Sequence, residues 1–174
     1  VYIADWYDSR LSHVDPRDTW HKTSGRVYRL RNKTNKGILP KFDISKYSVQ
    51  QLIQLLKNEN KWYRQQAQIQ FANRKNKSFV PLLLPVLKSA NGQLALEALW
   101  AINLSGGLND ELMLIALSHK DPFVRNWAVR LAGDHKSVSP VVSKHLIRLA
   151  ATETDLENRS QIAATAKRLP GHTA

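Results

Sequence analysis

The chain has 174 residues, 43% of them hydrophobic, which is enough apolar material for a packed core and excludes a globally disordered protein. Its 26 lysines and arginines exceed its 14 aspartates and glutamates, and the net charge of +12 permits an acidic partner such as nucleic acid. The chain contains no cysteine, which excludes disulfides, thiolate metal sites and thiol nucleophiles.

Residues 1–31 differ in character from the rest of the chain. Residues 1–7 (Val-Tyr-Ile-Ala-Asp-Trp-Tyr) are β-branched and aromatic, which predicts a short strand. Residues 26–31 (Arg-Val-Tyr-Arg-Leu-Arg) alternate basic and apolar side chains, which predicts a second strand with one buried face. Because two strands alone are marginal in water, we expect them to join a larger sheet. We therefore expect the chain to be a piece of a longer protein.

The polar loop between these strands is the one place with clustered reactive side chains. Carboxylate oxygens and imidazole nitrogens are common metal ligands, so the loop is a candidate metal or cofactor-side site. Its candidate residues are Asp8, His13, Asp15, Asp18 and His21. The alternative is an exposed loop whose aspartates form turns, since the spacing is not that of a regular calcium-binding loop.

The rest of the chain divides into a linker and a helical region. Residues 32–47 are polar and contain glycine and proline, which predicts a linker that ends in a short docking segment, residues 42–45. In residues 48–174 the apolar side chains recur at helical spacing, and serine, asparagine or aspartate precedes the helical stretches. This pattern predicts about four helix pairs. Pro85 is expected to kink its helix or to begin the regular part of it.

One helical motif recurs along the chain. Residues 121–132 combine an aspartate N-cap, a proline at the first helical position, an arginine at the fifth position and an alanine at the eighth. The fifth positions of four such stretches are 64, 95, 125 and 159, so the steps are 31, 30 and 34 residues, which is typical of a repeat array. Ala95 replaces the arginine in the second stretch. The predicted structural repeat positions are Asn60, Arg64, Ala67, Asp121, Arg125, Ala128, Asp155 and Arg159.

The repeated arginines and the tryptophans each allow two interpretations. The arginines could line a concave surface and bind an anion, or each could bond to the cap aspartate or to carbonyls of a neighbouring repeat. Trp62, Trp100 and Trp127 could stack on nucleic-acid bases, or they could pack between repeats. We expect the arginines to bond within the array. We also expect the tryptophans to pack between repeats, because they lie at helical spacing among leucine and alanine.

The helix pairs resemble HEAT repeats, whose Asp-x-x-x-Val-Arg-x-x-Ala pattern is matched by Asp121, Arg125 and Ala128. The match is not complete, because Val124 is shifted and the spacing here is Asp-x-x-Val-Arg-x-x-Ala. The period near 30 is shorter than that of most HEAT repeats and looks more like the short bacterial repeats related to those of phycobilin lyases. The resemblance implies a mainly α, armadillo-like fold. We expect an α-α superhelix of about four helix pairs preceded by a short two-stranded β segment.

Residues 1–8, 13 and 20–30 look like the last β-propeller blade of a family of large membrane-bound dehydrogenases from planctomycete-type bacteria. In that family a propeller is followed by HEAT repeats and then by a cytochrome c-type haem domain. The resemblance implies that residues 1–31 are the remnant of a blade. It also implies haem c, and a quinone or calcium, in other parts of the parent protein, and a periplasmic or cell-envelope location.

Three functions are compatible with these features. The first is a non-catalytic scaffold whose partners are other domains of the same polypeptide or a protein on its concave face. The second is a nucleic-acid-binding protein, similar to the HEAT-like DNA glycosylases of bacteria, which the +12 charge favours. The third is part of an active sugar- or alcohol-type dehydrogenase with the loop of residues 8–21 at its active site. We expect the first, because a nucleic-acid-binding array has no use for the strand pair.

Overall fold

A computed structural model describes residues 2–5, 25–30 and 42–171 of the chain. The chain separates into two compact units, Val1–Phe42 and Asp43–Ala174, and each is described by itself. No helix in the described residues is both long and apolar enough to cross a bilayer.

The first unit contains an antiparallel pair of strands, β1 (Tyr2–Asp5) and β2 (Arg26–Arg29). Tyr2 pairs with Arg29, and the register continues to Asp5 opposite Arg26. The predicted buried face of the second strand is not observed, because Val27 is 74% exposed and Tyr28, on the other face, is 53% exposed. Two strands form only one layer, and a layer buries apolar side chains only when another element covers it.

The second unit is an array of α-helices, eight of which lie in the described residues. They are α1 (Val49–Leu56), α2 (Lys61–Arg74), α3 (Val80–Ser89), α4 (Gly92–Leu104), α5 (Asp110–Leu117), α6 (Pro122–Ala132), α7 (Pro140–Thr152) and α8 (Leu156–Ala166). Consecutive helices pack in pairs, and the second helices α2, α4, α6 and α8 pack side by side in that order. The predicted mainly α fold of stacked helix pairs after a short β segment is confirmed.

Local side-chain caps explain where most of these helices begin. Ser48 and Gln51 form a reciprocal capping box at α1, because each side chain accepts a hydrogen bond from the backbone amide of the other. Asn60, Asp121 and Asp155 cap the second helices of the first, third and fourth pairs by accepting from first-turn amides. The sequence therefore specifies the starts of these helices locally.

One predicted cap differs from what is observed, and one of the two alternatives for Pro85 is excluded. Asn91 precedes α4, but its side chain makes no capping hydrogen bond. The amide of Gly92 instead donates to the carboxylate of Asp121, which comes from the next pair. Pro85 does not begin a helix, since α3 already starts at Val80 and continues past Pro85 to Ser89.

A continuous apolar core runs through the array from Ile44 to Leu169. Ile44 lies in a short 3-10 helix, Ile44–Lys46, and is 7% exposed. Arg74 fixes this segment by donating through Nη2 to the carbonyl oxygens of Ser45 and Tyr47, both at 2.8 Å. The last part of the predicted linker therefore packs as part of the array, as expected for a docking segment.

Candidate functional site

The predicted metal or cofactor-side loop lies outside the described residues. This applies to all of its candidate residues, Asp8, His13, Asp15, Asp18 and His21. The repeated arginines, the tryptophans and a surface cleft lie in the helical array.

Arg64 joins the first helix pair to the second. Its Nη1 donates to the carbonyl oxygens of Asn58 and Glu59, both at 2.8 Å, in the loop before its own helix. Its Nε donates to Oε1 of Glu97 on α4 at 3.0 Å. One guanidinium therefore fixes the entry to α2 and ties α2 to α4; we call this the first joint.

Glu97 is held at the first joint by two glutamines as well as by Arg64. Gln68 donates through Nε2 to Oε2 of Glu97 at 2.7 Å and to its backbone carbonyl at 2.8 Å. Gln93 donates to Oε1 at 2.8 Å. Glu97 is only 4% exposed, and these donors replace the water that its carboxylate has lost.

Arg125 joins the third pair to the fourth in a related way. Its Nη1 donates to the carbonyl oxygens of His119 and Lys120, at 2.9 and 3.0 Å, in the loop before α6. Its Nε and Nη2 donate to the two carboxylate oxygens of Glu153 at 2.8 and 2.9 Å. This second joint is therefore bidentate, the strongest arrangement for an arginine and a carboxylate.

The carboxylate of Glu153 is enclosed by further donors. The backbone amides of Thr154 and Asp155 both donate to its Oε1 at 3.1 Å, and Asn158 donates through Nδ2 to its Oε2 at 3.2 Å. The hydrogen bond from Arg125 is the largest cause that lowers the pKa of Glu153 from 4.5 to about 2. The same pairing raises the pKa of Arg125. Glu153 is therefore ionised across the physiological range.

The other predicted repeat positions have different environments. Ala67 and Ala128 are fully buried where the helices pack, and Ala95, in the place of the arginine, is also fully buried. Arg159 is exposed, and its side chain makes no hydrogen bond to any other described residue. Asn158, beside it in the sequence, is 1% exposed and donates to the carbonyl of Pro122 at 3.0 Å.

The second and third pairs are joined without an arginine. His119 is 7% exposed, and its Nδ1 accepts from the amide of Asp121 at 3.0 Å. Its Nε2 lies 3.0 Å from the carbonyl oxygen of Leu87 at the end of α3. With Nδ1 as an acceptor, the imidazole bridges α3 to the start of α6.

The observed arginine partners differ from the predicted ones. The carbonyl acceptors belong to the loop before the same helix, and the second acceptor is a glutamate of the next pair. The cap aspartate is not used, because Asp121 already accepts from the amides of Phe123 and Gly92.

The tryptophans form a packed wall with one exposed outlier. Trp100 on α4 and Trp127 on α6 pack edge to face, with ring centroids 4.9 Å apart and planes at 75°. The guanidinium of Arg130 lies 4.8 Å from the centroid of Trp127. Trp62 on α2 is 46% exposed, so packing between repeats explains Trp100 and Trp127 but not Trp62.

A cleft of about 530 Å³ lies between α2 and α4, and it would hold several side chains of a partner. Its lining residues are Lys61, Arg64, Gln65, Gln68, Gln93, Glu97, Trp100 and Leu104. It therefore combines cations, amides, one tryptophan and one buried carboxylate. This mixture suits recognition of a polar segment that carries one apolar side chain.

The acceptors of the two joints, Glu97 and Glu153, were not among the residues predicted from the sequence. Glu97 is the only charged residue in the apolar run Leu94–Leu99, and a lone acid in such a run indicates a buried partner. That signal would have found Glu97. No comparable signal marks Glu153, which lies in a polar turn.

No family model, curated protein or solved structure matches this chain. The function is therefore inferred from the contacts and charges of the array. Both arginine joints hold successive helix pairs in place, while the cleft between α2 and α4 stays open to solvent beside them.

Proposed function

We propose that the helical array is a non-catalytic scaffold that binds protein segments along its second helices. The observation that carries this proposal is that buried ion pairs connect the helix pairs, while aromatic and basic side chains are exposed on the surface. Arg64 and Arg125 connect successive pairs, whereas Trp62 and Phe123, on α2 and α6, are 46% and 65% exposed. Tryptophan and arginine are among the residues most enriched at protein-binding hot spots.

The larger context that we propose is a dehydrogenase with a β-propeller and a haem domain. It is supported by the resemblance of residues 1–31 to a propeller blade and by the order of strand pair and helical array. The exposure of Tyr2 and Val27 is what a strand pair shows when the rest of its sheet is missing. Since the chain has no cysteine, covalent haem attachment would use residues outside this sequence. A periplasmic or cell-envelope location belongs to the same proposal.

The coding sequence on either side of this chain tests the context directly. We expect propeller strands upstream and a Cys-x-x-Cys-His motif downstream. A neighbouring sequence that encodes neither would contradict the dehydrogenase context, although the scaffold could still bind another protein.

Cross-linking of the intact polypeptide tests the scaffold itself. Lysine-specific cross-linking followed by mass spectrometry should connect Lys61, beside the cleft on α2, to another domain or to a bound protein. Lys144 is exposed on α7 and serves as the control. Cross-links from Lys144 alone, or equal cross-links from both lysines, would contradict the proposed surface.

A second candidate function is nucleic-acid binding, which the net charge of +12 and the pairing of Arg130 with Trp127 favour. Duplex binding should then be about micromolar and should weaken steeply as salt is added. The Arg130→Gln variant should bind more weakly than the unmodified chain. Absence of any binding at low salt would exclude this function.

A further inference from the structure

The first joint leaves part of its guanidinium unused. Arg125 engages Glu153 through both Nε and Nη2, whereas Arg64 engages Glu97 through Nε alone. Within residues 42–171, Nη2 of Arg64 donates no hydrogen bond. The Arg64 side chain is 15% exposed and lines the cleft between α2 and α4. One guanidinium nitrogen with two N–H groups, Nη2, is therefore available to a ligand in the cleft.

The charge that the cleft offers to a ligand is positive. Lys61 is exposed and lies three residues before Arg64, so both cations are on one side of α2 and line the cleft. Glu97 is the one acid among the lining residues, and it is 4% exposed. Its two oxygens already accept from Arg64, Gln68 and Gln93, so it offers little free acceptor capacity.

The opposite wall of the cleft is apolar, and a second layer of side chains packs against it. Trp100 and Leu104 line the cleft from α4, and Trp100 packs against Trp127, which is in turn covered by Arg130. Nε1 of Trp100 and Oε1 of Gln68 are buried and have no hydrogen-bond partner in the described structure. Both atoms are closed off from solvent, so they are not hydrogen-bonding groups that the cleft offers to a ligand.

We infer that this cleft is a binding site for an acidic peptide segment, in which a carboxylate side chain pairs with Arg64 and Lys61. A neighbouring apolar side chain packs on Trp100 and Leu104. This inference rests on the proposed scaffold function and names the chemistry of its partner.

The geometry favours a carboxylate on a peptide over the phosphates of a nucleic acid. Duplex DNA presents one negative charge per 1.7 Å or so of its axis, and binding it requires a row of cations. Only Lys61 and Arg64 line this cleft among the basic residues that the structure describes. The apolar wall of the cleft suits an apolar side chain of a peptide and has no counterpart in a phosphate backbone.

Fluorescence anisotropy with the full 174-residue chain tests the inference. The probe is a fluorescein-labelled peptide, Gly-Ser-Glu-Leu-Glu-Phe-Ser-Gly, and the control is the same peptide with glutamine in place of both glutamates. One charge-assisted hydrogen bond raises affinity by about tenfold or more. The acidic peptide should therefore bind at least about tenfold more tightly than the glutamine control. Equal affinity for the two peptides would overturn the inference.

Three variants separate the cleft from the overall charge of the protein. Arg64→Gln and Lys61→Gln should each weaken binding of the acidic peptide severalfold. Arg148→Gln removes the same charge from the exposed surface of α7 and should leave the affinity unchanged. Because Arg64→Gln also breaks the first joint, Lys61→Gln decides the outcome if circular dichroism shows that the Arg64 variant is unfolded.

Two further outcomes would overturn the peptide site. In the first, Arg148→Gln weakens binding as much as Lys61→Gln, which would indicate attraction to net charge alone. In the second, a DNA duplex of about 20 base pairs, or roughly two helical turns, competes more strongly than the acidic peptide, and its binding depends on Lys61. Neither outcome bears on the cross-links from Lys61 in the intact polypeptide, so failure of this site and failure of the scaffold are distinguishable.

Discussion

The two arginine joints of the array use the same repeat position but differ in completeness. At the second joint, Arg125 and Glu153 form a bidentate pair, and every nitrogen of the guanidinium has an acceptor. At the first joint, Arg64 meets Glu97 through one nitrogen and keeps Nη2 unpaired among the described residues. One joint is closed on itself, and the other faces a cleft.

The local structure around each glutamate accounts for this difference. Glu153 follows the last turn of α7, where free backbone amides of Thr154 and Asp155 are available to its carboxylate. Glu97 lies in the middle of α4, where backbone amides are already used in the helix. Its other donors must be side chains, and Gln68 and Gln93 supply them. The position of the acceptor, more than that of the arginine, therefore decides whether a joint is closed.

The largest expected loss of stability comes from breaking the second joint. Arg125→Gln leaves the buried carboxylate of Glu153 without its cation and should lower the free energy of unfolding by about 3–5 kcal/mol. Equilibrium unfolding in urea measures this loss. The control is Arg159→Gln, at the same repeat position but exposed, which should change the stability by no more than about 0.5 kcal/mol. Similar losses in both variants would show that the joint adds nothing specific.

Acid should open the same joint without a mutation. The pKa of Glu153 is lowered from 4.5 to about 2, chiefly by its hydrogen bond from Arg125. Since the unfolded chain takes up this proton at the higher pH, the stabilisation is complete above pH 4.5 and is lost as the pH falls towards 2. The loss is on the order of 3 kcal/mol.

The pH effect is measured as the difference between the unmodified chain and Glu153→Gln in urea unfolding at several pH values. Other carboxylates titrate in both proteins, so the difference isolates Glu153. The unmodified chain should lose its advantage as the solution is acidified. A difference that stays constant between about pH 5 and pH 2 would contradict a lowered pKa at this site.

A smaller loss of stability is expected when the first joint is broken. Arg64→Gln leaves Glu97 with the amides of Gln68 and Gln93, so the free energy of unfolding should fall by about 1.5–3 kcal/mol. Urea unfolding beside Arg125→Gln gives the comparison. If Arg64→Gln lowers the free energy of unfolding as much as Arg125→Gln, the extra hydrogen bonds of the second joint add nothing to stability.

The smallest of these effects concerns the caps. Asp121→Ala removes the acceptor for the amides of both Phe123 and Gly92 and should cost about 1–2 kcal/mol. Asn60→Ala removes a cap that serves its own helix alone and should cost less, about 1 kcal/mol. Hydrogen exchange should also become faster at the Gly92 amide in the Asp121 variant only. Unchanged exchange at Gly92 would mean that Asp121 does not connect the two pairs.

Sequence reasoning was successful where the determinants are local. The helix pairs, their caps at Asn60 and Asp121, and the strand pair all follow from signals within a few residues of each other. The exposure of Val27 was not predicted, because alternation marks a face that can be buried and says nothing of what covers it. The loop of residues 8–21 stays a prediction.

The joints were beyond sequence reasoning because their partners are distant and irregularly spaced. Arg64 and Glu97 are separated by 33 residues, whereas Arg125 and Glu153 are separated by 28. A repeat period predicts which arginines are equivalent, but it cannot locate acceptors that lie in a helix in one case and in a turn in the other. The cleft between α2 and α4 depends on the same tertiary geometry, so it could not be predicted from the sequence either.

The direction of the joints has a consequence for synthesis on the ribosome. In each joint the arginine precedes its glutamate in the chain. The cation therefore leaves the ribosome first and is unpaired until the glutamate has been synthesised. An unpaired arginine can keep its charged end in water while its stem packs on apolar surface. Glu97 and Glu153, which end nearly fully buried, emerge when Arg64 and Arg125 are already present. Each newly made helix pair therefore finds its counter-charge in place, which suits an array that folds from its amino-terminal end.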